Sequence, residues 1–170
     1  MEKLNPKAVW IFFFQFLSLG LILALMLGYF FWALMVKFEF NWWIVILFLA
    51  VIWIFGSYGW AKLYYNFYKF ELTEEAFKKE HGVIWKRYIS IPYERIQNID
   101  IHRGILARIL GLSDLMIQTA GYTGVYRGGG LLGTLGGRDP EGKLPGLSKE
   151  RAEEIREELI RRTRGTKSGL

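Results

Sequence analysis

Two long uncharged stretches constrain this chain more than anything else in it. Ala8 to Val36 holds no charged residue and no proline, and neither does Phe40 to Ala61. Crossing a hydrocarbon core of about 30 Å takes about 20 apolar residues at about 1.5 Å each. Both stretches meet that length. The linker around Lys37 and Glu39 has room only to reverse direction. Residues 1–63 are therefore expected to form a transmembrane helical hairpin, with spans of about 8–36 and 40–61. A cleaved signal peptide does not fit, because its apolar region runs about 7 to 15 residues. Here the first run is much longer and a second follows.

Lys3 and Lys7 precede the first span, Lys62 and Lys69 follow the second, and the connecting loop carries one Lys and one Glu. The positive-inside rule counts Lys and Arg, so the expectation is a two-pass protein of the cell membrane with both termini cytoplasmic. Trp10 marks one inner end, while Trp60, Tyr58, Tyr64 and Tyr65 mark the other. Trp32, Trp42 and Trp43 flank the outer turn, the level that amphipathic rings prefer. Gly20, Ala24 and Gly28 share one helix face at a spacing of four. Small residues there let a second backbone approach, either the other span or a second copy of the chain. Neither span contains an ionisable residue, which argues against a transporter or an intramembrane hydrolase.

The sequence contains no cysteine, which removes disulfides, thiol nucleophiles and thiolate metal sites. From Lys62 onward there are nineteen basic and fourteen acidic residues, a net +5. A basic domain tethered to a bilayer faces anionic headgroups. Nucleic acid is the other partner of basic domains, but no recognition motif supports it.

After the spans the apolar period drops to two. Tyr68, Phe70 and Leu72 alternate with Lys69 and Glu71, and Thr73 to Glu75 has turn character. Further strands are expected at 76–81, at 85–91 up to Pro92, at 97–102 and at 115–119. Such spacing predicts a small antiparallel sandwich or barrel. Between the last two strands, Ile105, Leu106, Ile109 and Leu110 fit a short helix bounded by Gly104 and Gly111, expected to plug an open end of the sheet or, as the alternative, to stand partly exposed as a membrane-touching or partner-binding knob. Residues 126–146 hold eight glycines and are expected to form a loop, with an apolar insert at 131–135. A final helix is expected over 148–164, with a flexible tail at 165–170. Ser148 suits its N-cap, and Leu147 with Ala152 suits a hydrophobic staple. Ala152, Ile155 and Leu159 share one face. Glutamates crowd its start and arginines its end, and Glu157–Arg161 and Glu158–Arg162 are favourable i,i+4 pairs.

Motifs for chemistry are absent. The segment 137–144 approaches a phosphate-binding loop but ends in Leu144 where a Ser or Thr must reach Mg²⁺, and Asp139 and Glu141 repel phosphate. His81 and His102 have no partner at metal-ligand spacing. Nothing matches a nucleophile elbow. The expectation is a non-enzymatic protein with no cofactor, metal or nucleotide.

Gly82, Ile91, Pro92, Ile96, Gln97, Arg108, Leu110 and Gly111 together carry a recognisable pattern. On these residues the chain, over 64–164, resembles the bacterial-type pleckstrin-homology (PH) domains, the membrane-flanked YdbS/YdbT-like group of unknown function. The resemblance implies an α+β membrane protein: a two-helix hairpin, then a PH-like split barrel of seven strands capped by the C-terminal helix. It supplies no activity. Eukaryotic PH relatives often bind phosphoinositides at the first hairpin, but here that turn is acidic at Glu74 and Glu75. The expected role is a membrane-anchored interaction or scaffolding module, its partners the bilayer and an unidentified protein, which includes a second copy. The alternative is a sensor of anionic headgroups using Lys62, Lys69, Lys86, Arg87, Arg95, Arg103 and Arg108.

Overall fold

The computed structural model describes residues 1–35, 42–119 and 142–167. Helices α1 (Ala8–Met35) and α2 (Trp42–Asn66) form the antiparallel hairpin. Both are long and apolar enough to cross a membrane. Their middles are not covered by protein: Leu25 is 69 % exposed and Phe55 is 73 % exposed. Helices this apolar need a hydrocarbon solvent on those faces, so α1 and α2 are membrane helices. The linker expected at residues 37–39 lies outside the described residues.

The rest of the chain builds two antiparallel sheets. One has the order β1-β2-β3-β4, from Glu2–Lys3, Lys69–Leu72, Ala76–His81 and Arg87–Pro92. The other has the order β5-β6-β7, from Ile96–His102, Leu112–Thr119 and Gly142–Ser148. A 3₁₀ turn at Tyr93–Arg95 joins the sheets, and α3 (Ile105–Leu110) links β5 to β6. Helix α4 (Lys149–Lys167) covers the second sheet. The two sheets stack as a sandwich rather than closing into a barrel. Alternation explains the inner faces: Phe70, Phe77, Ile91, Ile99, Leu115 and Ile117 are buried.

Two strands depart from the sequence expectation. Residues 142–146, expected in the glycine-rich loop, belong to β7. Pro145 sits in that strand because the register against β6 shifts there, between Ser113 and Leu115, on a strand that is a sheet edge among the described residues, so no ladder donor is needed from it. Residues 126–141 of the expected loop, with its apolar insert, lie outside the described residues. The second departure is β1. It lies before the hairpin in sequence, yet it pairs with β2 through Glu2–Phe70 and Lys3–Lys69. A divide between residues 63 and 64 is therefore not a structural boundary. Helix α2 also runs five residues past Ala61, since Lys62 and the residues after it do not break a helix.

The buried core ignores that divide too. Leu4, Ala8, Phe12, Phe13 and Ala61 join Tyr68, Phe70, Leu144, Leu147, Ile155 and Leu159 in one cluster. Length accounts for this. The 28 residues of α1 span about 42 Å, against about 30 Å of hydrocarbon. The surplus first turns pack on β7, where Gly146, at φ +68°, lies so close to Ala8 that an added Cβ would overlap it. Tyr65 donates its hydroxyl to the Leu4 carbonyl at 2.9 Å, and Tyr68 donates to the Lys143 carbonyl at 2.6 Å. Lys79 is buried at a core-facing position of β3, its Nζ donating to the same Lys143 carbonyl at 3.1 Å.

Helix α4 closes the other side. The Ser148 hydroxyl accepts from the Arg151 amide at 3.3 Å, the expected cap. Ala152, Ile155 and Leu159 are buried along one face. The helix continues to Lys167, so residues 165–167 are not tail, while 168–170 lie outside the described residues. Glu158 takes both expected arginines: Arg162 at 2.6 Å, and Arg161, which turns to it rather than to Glu157.

Candidate membrane-facing surface

Both chain crossings between hairpin and domain meet one end of the first sheet. β1 leads into α1 through residues 4–7, and α2 leads into β2 through Phe67 and Tyr68. Lys3 and Lys69 are register partners at that end, and Lys69 is also opposite Glu80 on β3. β2 runs away from the hairpin and β3 returns, so the β3–β4 turn, residues 82–86, comes back beside the α2 exit. The Lys86 ammonium lies 5.7 Å from the Phe67 ring centroid and 3.4 Å from Glu80.

This topology sorts the seven basic residues. Lys62, Lys69, Lys86 and Arg87 gather at the hairpin end, and all but half-buried Lys69 are exposed. Arg95 stands at the opposite end, past Pro92, beside the Thr73–Ala76 turn. Arg103 follows β5 on the other sheet, and its Nε donates to the Leu112 carbonyl at 3.3 Å. Arg108 is exposed on α3. The structure thus brings four of the seven together and places three elsewhere.

The α1 stripe divides likewise. Gly20 is buried against the Trp53 ring of α2, which an added Cβ would overlap, whereas Ala24 and Gly28 are exposed. The aromatic belt is dense at the same end. Trp10 lies 6.0 Å from Tyr58, Phe16 lies 6.3 Å from Trp60, and Phe12 meets Tyr64 at 4.8 Å.

Of the two readings of α3, the structure has the partly exposed helix rather than the plug. Ala107 is buried against the sheet, but Ile105 and Ile109, one turn apart on the outer face, are each 76 % exposed. At the β3–β4 turn, Ile84 and Trp85 are also exposed, as is Tyr88 in the adjoining strand β4. Sequence reading assigned Trp85 to the start of a strand. The available signal was an Ile-Trp pair next to Gly82, in a turn where polar residues are the norm.

Away from the membrane, α4 is clamped to the far end of the first sheet. Tyr93 donates its hydroxyl to the Thr73 carbonyl at 2.6 Å, and Arg162 donates to the same carbonyl and, at 3.3 Å, to the Tyr93 oxygen. Burial raises the Tyr93 hydroxyl above its ordinary pKa of 10.0, and Arg162 partly offsets this. The Arg162 hydrogen bond, reinforced by Arg161, holds the Glu158 carboxyl below its ordinary range. A groove of about 440 Å³ between α4, β1 and β2 is lined by Glu2, Glu71, Arg151, Glu154, Glu158 and Arg162. Its cations face its own acids: Arg151 pairs with Glu2 at 2.5 Å and with Glu154 at 2.8 Å. Among the described residues, no group of three or more His, Cys, Asp or Glu is placed to hold a metal ion.

The bacterial PH domain family matches residues 12–163, which takes in most of the hairpin as well as the sandwich. The chain is also similar to the UPF0699 transmembrane protein YdbT of Bacillus subtilis (strain 168). They are 32 % identical over 97 residues, 56 % of this chain and 16 % of that protein. The chain thus spans only a small part of that relative's length. No solved structure gives a significant match.

Proposed function

The chain belongs to the bacterial PH domain family, and from that premise we propose that it is a non-catalytic interaction module, held by its hairpin at the cytoplasmic face of a membrane. The single observation that carries this reading is the continuous core between hairpin and domain. Ala8 against Gly146, and Phe12 against Tyr64 and Tyr68, fix the domain's height and tilt on the membrane. A flexible tether would only concentrate a domain near a membrane, whereas a packed joint presents one chosen face to partners. The lysines flanking the spans, all on the domain's end of the hairpin, support the cytoplasmic side. The family and the transmembrane relative support a binding role over an enzymatic one.

A second reading, contact with anionic headgroups, is favoured by the gathering of Lys62, Lys69, Lys86 and Arg87 at the α2 exit. Each basic residue near an anionic surface contributes about 1 kcal/mol. The chain's lack of cysteine gives a direct test. A single Glu94→Cys variant, exposed at the domain's far end, is treated with a membrane-impermeant maleimide. Labelling in inside-out vesicles but not in intact cells is expected, and the reverse pattern overturns the orientation. A photo-crosslinker on the same thiol in native membranes is expected to give a discrete protein adduct. No protein adduct, together with preferential retention of anionic lipid by the purified chain that is lost on Lys86→Glu and Arg87→Glu, replaces the first reading with the second.

A further inference from the structure

We propose that the β3–β4 tip, Ile84 and Trp85, is a second membrane anchor that inserts into the interfacial layer of the same bilayer that α1 and α2 cross. The proposal rests on the hairpin spanning that bilayer with the domain packed against its end.

Three independent observations converge on this tip. The first is exposure. Trp85 is 81 % exposed and Ile84 66 % exposed, beside Tyr88, on a domain whose other strands bury their apolar side chains. In water such a cluster is unfavourable, whereas Trp and Tyr rings are favoured at the membrane interface. The second is position. Lys3, Lys69 and Glu80 mark the hairpin end of the sheet, and the His81–Arg87 pair comes one step nearer the hairpin. Ile84 and Trp85 lie past that pair, in a turn folded back so far that the Trp85 carbonyl meets Gly82, the first residue beyond it. The ammonium of Lys86 above Phe67 fixes the tip beside α2 rather than across the domain from it. Phe67 itself follows Tyr64 and Tyr65, the last rings of the aromatic belt, so the tip lies beside the inner edge of that belt.

The third is construction. Gly82 takes φ +108°, and a Cβ there would overlap the Trp85 carbonyl. The turn is therefore closed on itself, with its apolar pair held in a tight bend rather than a loose loop. Charge agrees with the site. Lys86 and Arg87 directly follow the pair and exposed Lys62 lies on α2 five residues before Phe67, with Glu80 the acid that faces Lys86. Basic residues around an inserted apolar pair are the arrangement that suits anionic headgroups. Two attachments, the helix joint and this tip, would also prevent the domain from rotating about the hairpin axis.

The test uses the whole chain in nanodiscs of mixed neutral and anionic lipid. An environment-sensitive fluorophore is placed singly on Ile84→Cys, on Glu94→Cys at the far end and on Leu25→Cys in the first span. Lipids brominated near the glycerol backbone are expected to quench and blue-shift the residue 84 probe and to leave the residue 94 probe unchanged. Deeply brominated lipids are expected to quench the residue 25 probe. Adding Trp85→Ser is expected to reduce the quenching at residue 84, and quenching left unchanged overturns the anchoring role of Trp85. A residue 84 probe that emits as in water overturns the proposal while the residue 25 signal keeps the hairpin reading intact. A blue-shifted but unquenched residue 84 probe also overturns it, since protein rather than lipid then covers the tip. Loss of quenching at residue 25 removes the spanning hairpin itself, and the proposal with it.

Discussion

The joint between hairpin and domain can be weighed by comparing two glycines. Gly146 and Gly111 both adopt left-handed backbone, at φ +68° and +70°. Each therefore charges a substituted alanine about 1–2 kcal/mol for conformation alone. Their surroundings differ. A Cβ on Gly111, the C-cap of α3, meets nothing within 4 Å. On Gly146 it overlaps the Ala8 methyl and comes within 3.2 Å of the Ala8 Cα. Overpacking of this kind adds about 1–3 kcal/mol. Gly146→Ala is thus expected to cost about 2–5 kcal/mol and Gly111→Ala only about 1–2. The assay is urea unfolding of the purified chain in mild detergent, followed by far-ultraviolet circular dichroism. Adding Ala8→Gly to Gly146→Ala removes the overlapping methyl and is expected to recover the packing part while leaving the conformational part. Equal costs for the two single variants, with no recovery in the double variant, would mean that α1 is not seated on β7. The proposed fixed presentation of the domain would then be wrong.

Further expectations concern the clamp, the core and the spans. Leu159→Ala, which empties a fully buried position of α4, is expected to cost about 2–5 kcal/mol in the same unfolding assay. Tyr93→Phe removes the hydroxyl that binds the Thr73 carbonyl and Arg162 and is expected to cost about 0.5–1.5 kcal/mol at neutral pH. The raised Tyr93 pKa stabilises the fold fully below pH 10.0, and that contribution is lost as pH rises through the folded-state value. Alkaline titration of stability should therefore be steeper in the parent chain than in Tyr93→Phe. Gly20→Ile is expected to push Trp53 away and loosen the hairpin, seen as a shifted Trp emission and lower thermal stability. Ala24→Ile, at an exposed position, is expected to leave both unchanged in a single copy.

Several elements were legible in the sequence because their physics is local. Span length and the absence of charge set α1 and α2. Strict alternation set β2, and the cap, staple and charge gradient of α4 are all short-range signals. Most strand positions were legible for the same reason. β7 was not, because the residues from Gly142 to Gly146 carry the composition of a loop. Only the neighbouring β6, and an edge position that tolerates Pro145, make that segment a strand. The two residues of β1 hold no periodicity at all, and their pairing with β2 exists because the hairpin brings the chain back to its start.

The candidate surface follows the same division. The sequence determined that the chain carries two apolar spans and a basic, alternating domain, since hydrophobicity and charge are properties of the residues themselves. Which basic residues share a face depends on strand direction, so only the tertiary structure could gather Lys62, Lys69, Lys86 and Arg87 and send Arg95 to the far end. The same holds for Gly20 facing Trp53 and for Ala8 facing Gly146. Close approach is a relation between distant segments, decided when the surplus turns of α1 found no hydrocarbon and were buried in the core of the domain instead.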